Sequence, residues 1–156
     1  MSTSGKYIKG LVGVLILFAA AGICHGEIDA QKQLEFADGL FHRGFHSEAI
    51  AEYEEYLSQV PAGADATTAW LRLGRSAVVI GQYEKALTAF QHAKEGAGSL
   101  EQRLEAQVSC GEALFFLNRY VEVIAALKSS VEGSADPETR ARALYYMGRA
   151  YLEADD

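Results

Sequence analysis

The sequence predicts an all-α fold made of repeated helix pairs, and a fixed period of 37 residues is the first observation behind this prediction. Small residues recur at that step in one column, which consists of Ala37, Gly74, Gly111 and Gly148. Four more columns keep the same step: Leu40, Ala77, Leu114 and Tyr151; Gly44, Gly81 and Asn118; Ala49, Ala86 and Val123; Tyr53, Phe90 and Leu127. Within each unit apolar residues fall at helical spacing, and no segment sustains the alternation of a strand. Such periods are typical of solenoids, whose units pack on their neighbours.

The composition narrows the class of protein. Of the 156 residues, 49% are hydrophobic and only two are proline, so the chain is too apolar for a disordered protein or a linker. The net charge of −7 argues against a nucleic-acid partner, because a nucleic-acid binder needs a basic surface to displace counterions. Two cysteines cannot build a disulfide scaffold.

Residues 1–26 are predicted to be a signal peptide. Lys6 and Lys9 precede the 14 uncharged residues 10–23, and small residues follow up to Gly26. Fourteen residues form about 21 Å of helix, which is shorter than the ~30 Å hydrocarbon core, so cleavage after Gly26 is favoured over a permanent span. We therefore expect an exported, periplasmic protein that meets the membrane only through this segment. Two alternatives stay open, namely a retained anchor that faces the periplasm and a lipid-modified Cys24.

The remaining residues, 27–156, form the predicted solenoid. Its repeats span about residues 30–63, 64–99 and 100–136, with a half repeat at 137–156. In the second repeat the first helix is marked by Trp70, Leu73, Ala77 and Ile80, Gly81 ends it, and the second helix is marked by Tyr83, Ala86, Leu87, Phe90 and Ala93.

Capping residues mark where two later helices begin. Ser99 is followed three residues later by Gln102, which is the pattern of a capping box. Asp136 precedes Pro137, which combines a capping aspartate with proline at the first helical position.

The glycine column predicts close approach of paired helices. Glycine inside a helix costs about 1 kcal/mol relative to alanine, so its recurrence implies a gain in packing. We expect neighbouring helices to cross near Gly74, Gly111 and Gly148, with Tyr53 and Phe90 filling the space between helices.

These motifs resemble the tetratricopeptide repeat (TPR) family. The resemblance rests on Trp70-x-x-Leu73-Gly74-x-x-Ala77, Gly81-x-Tyr83-x-x-Ala86 and Phe90-x-x-Ala93, and it covers residues of about 33–156. It implies a right-handed helix-pair solenoid with three repeats and one further helix. The residues that carry the repeat structure are Ala49, Trp70, Leu73, Gly74, Tyr83, Ala86, Phe90, Gly111, Tyr120 and Gly148. The long period is similar to that of periplasmic bacterial members, such as the Tol–Pal-associated cell-division coordinator and the outer-membrane assembly lipoproteins.

The resemblance also implies a function, which is non-catalytic protein binding. In this family the first helix of each repeat lines a concave groove, and here an apolar and aromatic wall suits an extended peptide or an amphipathic helix. The expected groove residues are Asp38, Phe41, Leu71, Arg75, Val78, Glu112, Phe115, Phe116, Tyr145, Tyr146 and Arg149. The process would be envelope assembly or division. The lysine- and asparagine-rich clamp that some members use for a terminal carboxylate is not expected.

Charges of alternating sign follow the glycine column, at Asp38, Arg75, Glu112 and Arg149. We expect these four side chains to form a ladder of ion pairs between neighbouring first helices. The simpler alternative is four solvated charges, each worth about 0–1 kcal/mol per pair.

Neither a catalytic site, a metal site nor a cofactor is expected. The sequence has no glycine-rich phosphate loop and no nucleophile elbow. His42 and His46 are four residues apart, but Gly44 separates them at a predicted helix break, which disfavours a metal site. Cys110 shares a column with Leu73 and Met147, so we expect a buried thiol rather than a redox or crosslinking residue.

The last helix is apolar on most faces, which suggests that another helix covers it. The sequence thus leaves three functional hypotheses open. The first is a scaffold with a partner in its groove, the second is a self-associating structural module that forms a homo-oligomer, and the third is the N-terminal targeting array of a longer, truncated protein.

Overall fold

A computed structural model describes residues 29–154, and it consists of helices without a strand in that range. The predicted signal segment, residues 1–26, lies outside the described residues. The helices, in chain order, are α1 (29–42), α2 (His46–Gln59), α3 (Ala64–Val79), α4 (Tyr83–Gly96), α5 (Leu100–Phe116), α6 (Tyr120–Gly133) and α7 (Pro137–Ala154). They form three consecutive pairs and one further helix, so the prediction of an all-α helix-pair solenoid is confirmed.

The turn inside each pair has the same geometry. Its middle residue is Gly44, Gly81 or Asn118, with φ of 80°, 74° and 59° respectively. In each turn a backbone N–H reaches back five residues to a carbonyl, as from Gln82 to Ala77 at 2.8 Å. This bond closes a Schellman-type helix end, which requires one residue in the left-handed region. Glycine takes that conformation without strain, and asparagine is among the side chains that tolerate it best. The third column of the sequence is therefore a column of helix ends.

Both predicted caps at helix starts are present. The Ser99 hydroxyl accepts the N–H of Gln102 at 3.2 Å, and the Asp136 carboxylate accepts the N–H of Thr139 at 2.7 Å. The reciprocal half of the capping box differs from expectation, because the Gln102 side chain accepts the N–H of Gly98 instead of that of Ser99. The Gln102 side chain thus accepts from a residue one position earlier than expected, and this hydrogen bond fixes the loop before α5.

Close packing at the glycine column is confirmed at two positions and wrong at a third. A Cβ on Gly74 would lie less than 3.0 Å from three ring carbons of Phe90, and a Cβ on Gly111 would lie 2.5 Å from Leu127. Each glycine therefore seats a large side chain of the following helix. At Gly148 a Cβ would meet no atom of the described residues within 4 Å. The expected approach is absent there because the described residues supply no helix after α7.

One core runs through the pairs and includes the predicted buried thiol. Tyr53, Phe90, Leu73 and Leu127 are each at most 1% exposed, and Cys110 is 5% exposed. Burial raises the pKa of the Cys110 thiol from 9.0 to about 11, which keeps it protonated and unreactive at neutral pH. Among residues 29–154, none of the helices is both long and apolar enough to span a bilayer.

Candidate partner-binding groove

The first helices of successive repeats face a common cleft. The cleft measures about 370 Å³ and lies between α3, α5 and α7. Its lining consists of Arg75, Val78, Val79, Phe90, Glu112, Glu138 and Arg142. A neighbouring cleft of about 250 Å³ between α3 and α5 brings Leu71 beside Arg75. Four residues predicted for the groove, namely Leu71, Arg75, Val78 and Glu112, therefore lie in two adjoining clefts.

Aromatic side chains gather at the end of the groove near α7. This group, called the aromatic cluster below, consists of Tyr83, Phe115, Phe116, Tyr120, Tyr145 and Tyr146. Phe115 is its centre, with ring centroids 5.9 Å from Phe116 and 5.7 Å from Tyr146. Edge and offset contacts at these distances are the geometry that aromatic rings favour. Four predicted groove residues thus form one continuous surface.

Polar contacts hold the aromatic cluster in place. The Tyr146 hydroxyl donates to Glu112 at 2.7 Å, and Arg142 donates to the other oxygen of the same carboxylate at 3.0 Å. Burial, together with the hydrogen bond to Glu112, raises the pKa of Tyr146 above its ordinary value of 10.0. The hydrogen bond from this neutral phenol to Glu112 orients its ring.

The exposed edge of the cluster is available to a ligand. Phe116 is 39% exposed and Tyr145 is 56% exposed. Phe116 lies flat on Tyr83, with centroids 4.9 Å apart and planes at 12°. Arg149 covers Phe115, with its guanidinium carbon 5.0 Å from the ring centroid, and donates to the Tyr145 hydroxyl at 3.2 Å. Rings held by neighbours lose little conformational entropy on binding, which favours their use as anchors.

The predicted ladder of Asp38, Arg75, Glu112 and Arg149 is wrong. Each of the four charges has a different partner: Arg72 for Asp38, Glu105 for Arg75, Arg142 for Glu112 and Glu153 for Arg149. Same-column charges do not pair because the side chains of adjacent first helices meet out of register.

The register between first helices is offset by two helical turns. Arg75 pairs with Glu105 at 2.6 Å and Glu112 pairs with Arg142 at 3.0 Å, and both separations are 30 residues, seven fewer than the repeat. The second pair is thus the first pair moved by one repeat, with both charges inverted. The residue 30 positions after Asp38 is the uncharged Thr68. Asp38 pairs instead with Arg72, which lies one turn beyond Thr68 on α3. The charges therefore do alternate in sign, but each pair joins residues of two different columns. We call Arg75–Glu105 and Glu112–Arg142 the diagonal pairs.

The predicted groove residues of α1 make internal contacts. Asp38 accepts the Tyr53 hydroxyl at 2.6 Å in addition to its ion pair with Arg72. Phe41 packs edge-on against His42 and His46, at centroid distances of 5.3 and 5.9 Å. These two predicted groove residues therefore lie apart from the aromatic cluster. Within residues 29–154 we find no set of three His, Cys, Asp or Glu side chains arranged as metal ligands.

Sequence reasoning missed three residues at the site. Tyr83 was assigned to the repeat framework alone, and Glu105 and Arg142 were not singled out. The offset of seven residues is the pattern that identifies the last two, because Glu105 and Arg142 occupy one column with opposite charge. No sequence pattern predicts the contact of Tyr83 in the second repeat with Phe116 in the third.

No protein-family model matches this sequence, and no curated protein matches it. Among solved structures, the chain is similar to the crystal structure of the Sgt2 TPR domain from Aspergillus fumigatus, with a TM-score of 0.65 and 22% identity over 81% of this chain and 82% of that chain. At this identity the likeness establishes the fold, which is a TPR helix-pair solenoid. Solenoids of this kind present extended concave surfaces to their ligands.

Proposed function

We propose that this chain is a non-catalytic scaffold that holds a segment of a partner protein in the groove lined by α3, α5 and α7. The observation that carries the proposal is the aromatic cluster, whose exposed edge at Phe116 and Tyr145 is supported by contacts with the half-buried rings of Phe115 and Tyr146. Aromatic rings in a concave, preformed site are the usual anchors of protein recognition.

The charges of the groove indicate which kind of segment fits. Arg75, Glu112 and Arg149 each have an internal partner of opposite charge, namely Glu105, Arg142 and Glu153. A ligand that relied on ion pairs would have to break these contacts. We therefore propose a segment that docks apolar or aromatic side chains beside Phe116, with binding that depends only weakly on ionic strength.

The proposed location is the periplasm, where the scaffold would serve the cell envelope in assembly or division. This part rests on residues 1–26, whose order is basic, apolar and then small. Fractionation of expressing cells, followed by N-terminal sequencing, tests it. A mature chain that begins at Glu27 supports export with cleavage. A chain that keeps its N-terminus and stays in the cytoplasm contradicts it.

Site-specific photo-crosslinking tests the groove. A photoreactive amino acid placed at Phe116 should capture a partner segment in envelope extracts, because this side chain is at the exposed edge of the cluster. The matched control is Ala125, which is exposed on α6 outside the cleft. Equal capture from both positions would argue against the groove.

A binding assay with selected peptides gives the energetic test. Peptides are selected from a display library against the purified chain, and their affinities are then measured for Phe116→Ala and for Thr88→Ala, an exposed residue of α4. The first variant should lose about tenfold or more in affinity, as expected for an aromatic anchor, whereas the second should be unchanged. Peptides that bind both variants equally well occupy some other surface.

A further inference from the structure

Helix α7 carries a continuous apolar stripe that no described residue covers. Leu144, Tyr145, Tyr151 and Leu152 are exposed to 48%, 56%, 52% and 72%. On a helix with about 100° per residue, these four side chains and Gly148 fall within an arc of about 120°, with Gly148 at its centre. We call this surface the α7 stripe. It carries no charged residue among these five positions.

The internal repeats indicate what such a stripe packs against. Gly74 and Gly111 occupy the equivalent position in α3 and α5, and each seats a large side chain of the helix that follows it in the chain, Phe90 of α4 or Leu127 of α6. At Gly148 a Cβ would have no neighbour within 4 Å among residues 29–154. Tyr151 shows the same contrast, because its column mates Ala77 and Leu114 are 0% and 7% exposed. The α7 stripe therefore has the form of a helix-binding face.

The arrangement of the stripe is symmetric about Gly148. Leu144 and Leu152 lie four residues on either side, and Tyr145 and Tyr151 lie three residues on either side. When two copies of such a helix cross antiparallel at the glycine, leucine faces leucine and tyrosine faces tyrosine. The absence of a side chain at the crossing lets the two backbones approach closely. A surface with this property is complementary to itself, as a two-fold interface requires.

We propose that the α7 stripe is a homodimer interface, in which α7 of a second copy packs antiparallel across Gly148. This inference does not depend on the proposed partner in the groove. The half-exposed side chains offer on the order of 400 Å² per copy, which is below the ~800 Å² per partner of a standard interface. We therefore expect a weak dimer, which forms only at high protein concentration.

The dimer carries two grooves. Tyr145 belongs both to the aromatic cluster and to the α7 stripe, so in the dimer its ring packs against the second copy and Phe116 remains as the exposed edge of the cluster. A partner with two copies of its binding segment would engage both grooves at once and gain effective concentration.

Sedimentation equilibrium of the chain purified after export tests the association, over about 1–500 µM. The expected result is a monomer–dimer equilibrium that Leu152→Glu weakens by tenfold or more. The matched control is Val121→Glu, because Val121 is 75% exposed on α6 and lies off the stripe. Its association constant should equal that of the unchanged chain. A monomer throughout the range, or equal effects of both substitutions, overturns the proposal.

Substitution at the crossing residue separates association from folding. Gly148→Ala adds a methyl group where the monomer has open space, so the folded monomer should keep or raise its melting temperature. The same methyl group separates two α7 helices at their closest point, so dimerisation should weaken. A Gly148→Ala variant that is more stable and dimerises equally well would place the interface elsewhere.

Cysteine crosslinking tests the antiparallel register. Chains with Leu144→Cys and chains with Leu152→Cys should form mixed disulfide dimers faster than either chain forms dimers with itself. This follows because residue 144 of one copy faces residue 152 of the other. Faster self-crosslinking of either variant would contradict the antiparallel arrangement.

Discussion

Gly74 of α3 lies against the ring of Phe90 of α4, with no room for a methyl group between them. Gly74→Ala should therefore lower the free energy of unfolding by about 1–3 kcal/mol, which is the usual cost of overpacking. Each kcal/mol corresponds to about 3–6 °C in melting temperature for a domain of this size. Thermal unfolding followed by circular dichroism measures the shift.

Gly39 supplies the matched control for this prediction. It lies inside α1, and among the described residues a Cβ there would meet only the end of the flexible Arg43 side chain at 3.7 Å. Gly39→Ala should raise stability by about 1 kcal/mol, because alanine is the better helix former. If both alanine variants shift the melting temperature in the same direction, close packing at Gly74 does not explain why glycine recurs in this column.

The two diagonal ion pairs should differ in strength. Glu112 and Arg142 have side chains only 21% and 30% exposed, whereas Arg75 and Glu105 are 45% and 35% exposed. Solvent screens the second pair more strongly, so its coupling energy should fall below about 0.5 kcal/mol, against about 1 kcal/mol for the first. Two double-mutant cycles measured by urea unfolding test this difference. Equal coupling in both cycles would show that burial does not set the strength of these contacts.

Stability should fall at alkaline pH. Burial raises the pKa of Tyr53 and Tyr146 above 10.0 in the folded chain, and hydrogen bonds to Asp38 and Glu112 raise it further. The unfolded chain releases these protons near pH 10 while the folded chain keeps them, so the unfolded state binds fewer protons and stability declines as pH rises. Cys110 adds a decline between its ordinary pKa of 9.0 and its folded value of about 11.

Urea unfolding at pH 8–11 measures this decline, and two variants assign it. Cys110→Ala should remove the part between pH 9 and 11, and Tyr146→Phe should remove part of the loss above pH 10. If each variant differs from the unchanged chain by a constant amount at every pH, these groups do not titrate on unfolding.

The cap of α7 predicts a loss of stability in acid. Hydrogen bonds from the start of the helix, above all from the N–H of Thr139, hold the pKa of Asp136 below its ordinary value of 3.8. Stability from this carboxylate is therefore complete above about pH 4 and disappears as pH falls through the lowered pKa. Asp136→Asn keeps an acceptor but cannot titrate. Its melting temperature should approach or exceed that of the unchanged chain at low pH, and a constant difference across pH 2–6 would refute the assignment.

Contacts inside a helix pair could be predicted from the sequence because they repeat in register. Gly74 with Phe90 and Gly111 with Leu127 are separated by the same 16 residues, so two aligned columns suffice to identify them. The helix ends at Gly44, Gly81 and Asn118 follow in the same way from one column. Short separations and a fixed turn leave little freedom for these residues to meet anything else.

Contacts between the first helices of neighbouring repeats are harder to predict, because a repeat column does not give the axial offset between two packed helices. The ladder prediction assumed no offset, whereas Arg75 meets Glu105 two turns away from the same-column residue Glu112. The stacking of Tyr83 on Phe116 depends on that same axial offset and on the path of the turn before α4. Both require the packing angle, which side-chain volumes at the interface set.

The inverted charges of the two diagonal pairs also distinguish the correct neighbour of each repeat from the next one along the chain. If the chain collapsed with one repeat left out, Arg75 would face Arg142 and Asp38 would face Glu105, because these residues occupy corresponding positions one repeat further on. Like charges would then meet at both places, whereas in the correct order Arg75 meets Glu105, and Asp38 lies opposite the uncharged Thr68 and pairs with Arg72. Misassembly of units is a characteristic failure of repeat proteins. The reversal of sign between the two diagonal pairs therefore disfavours the wrong neighbour.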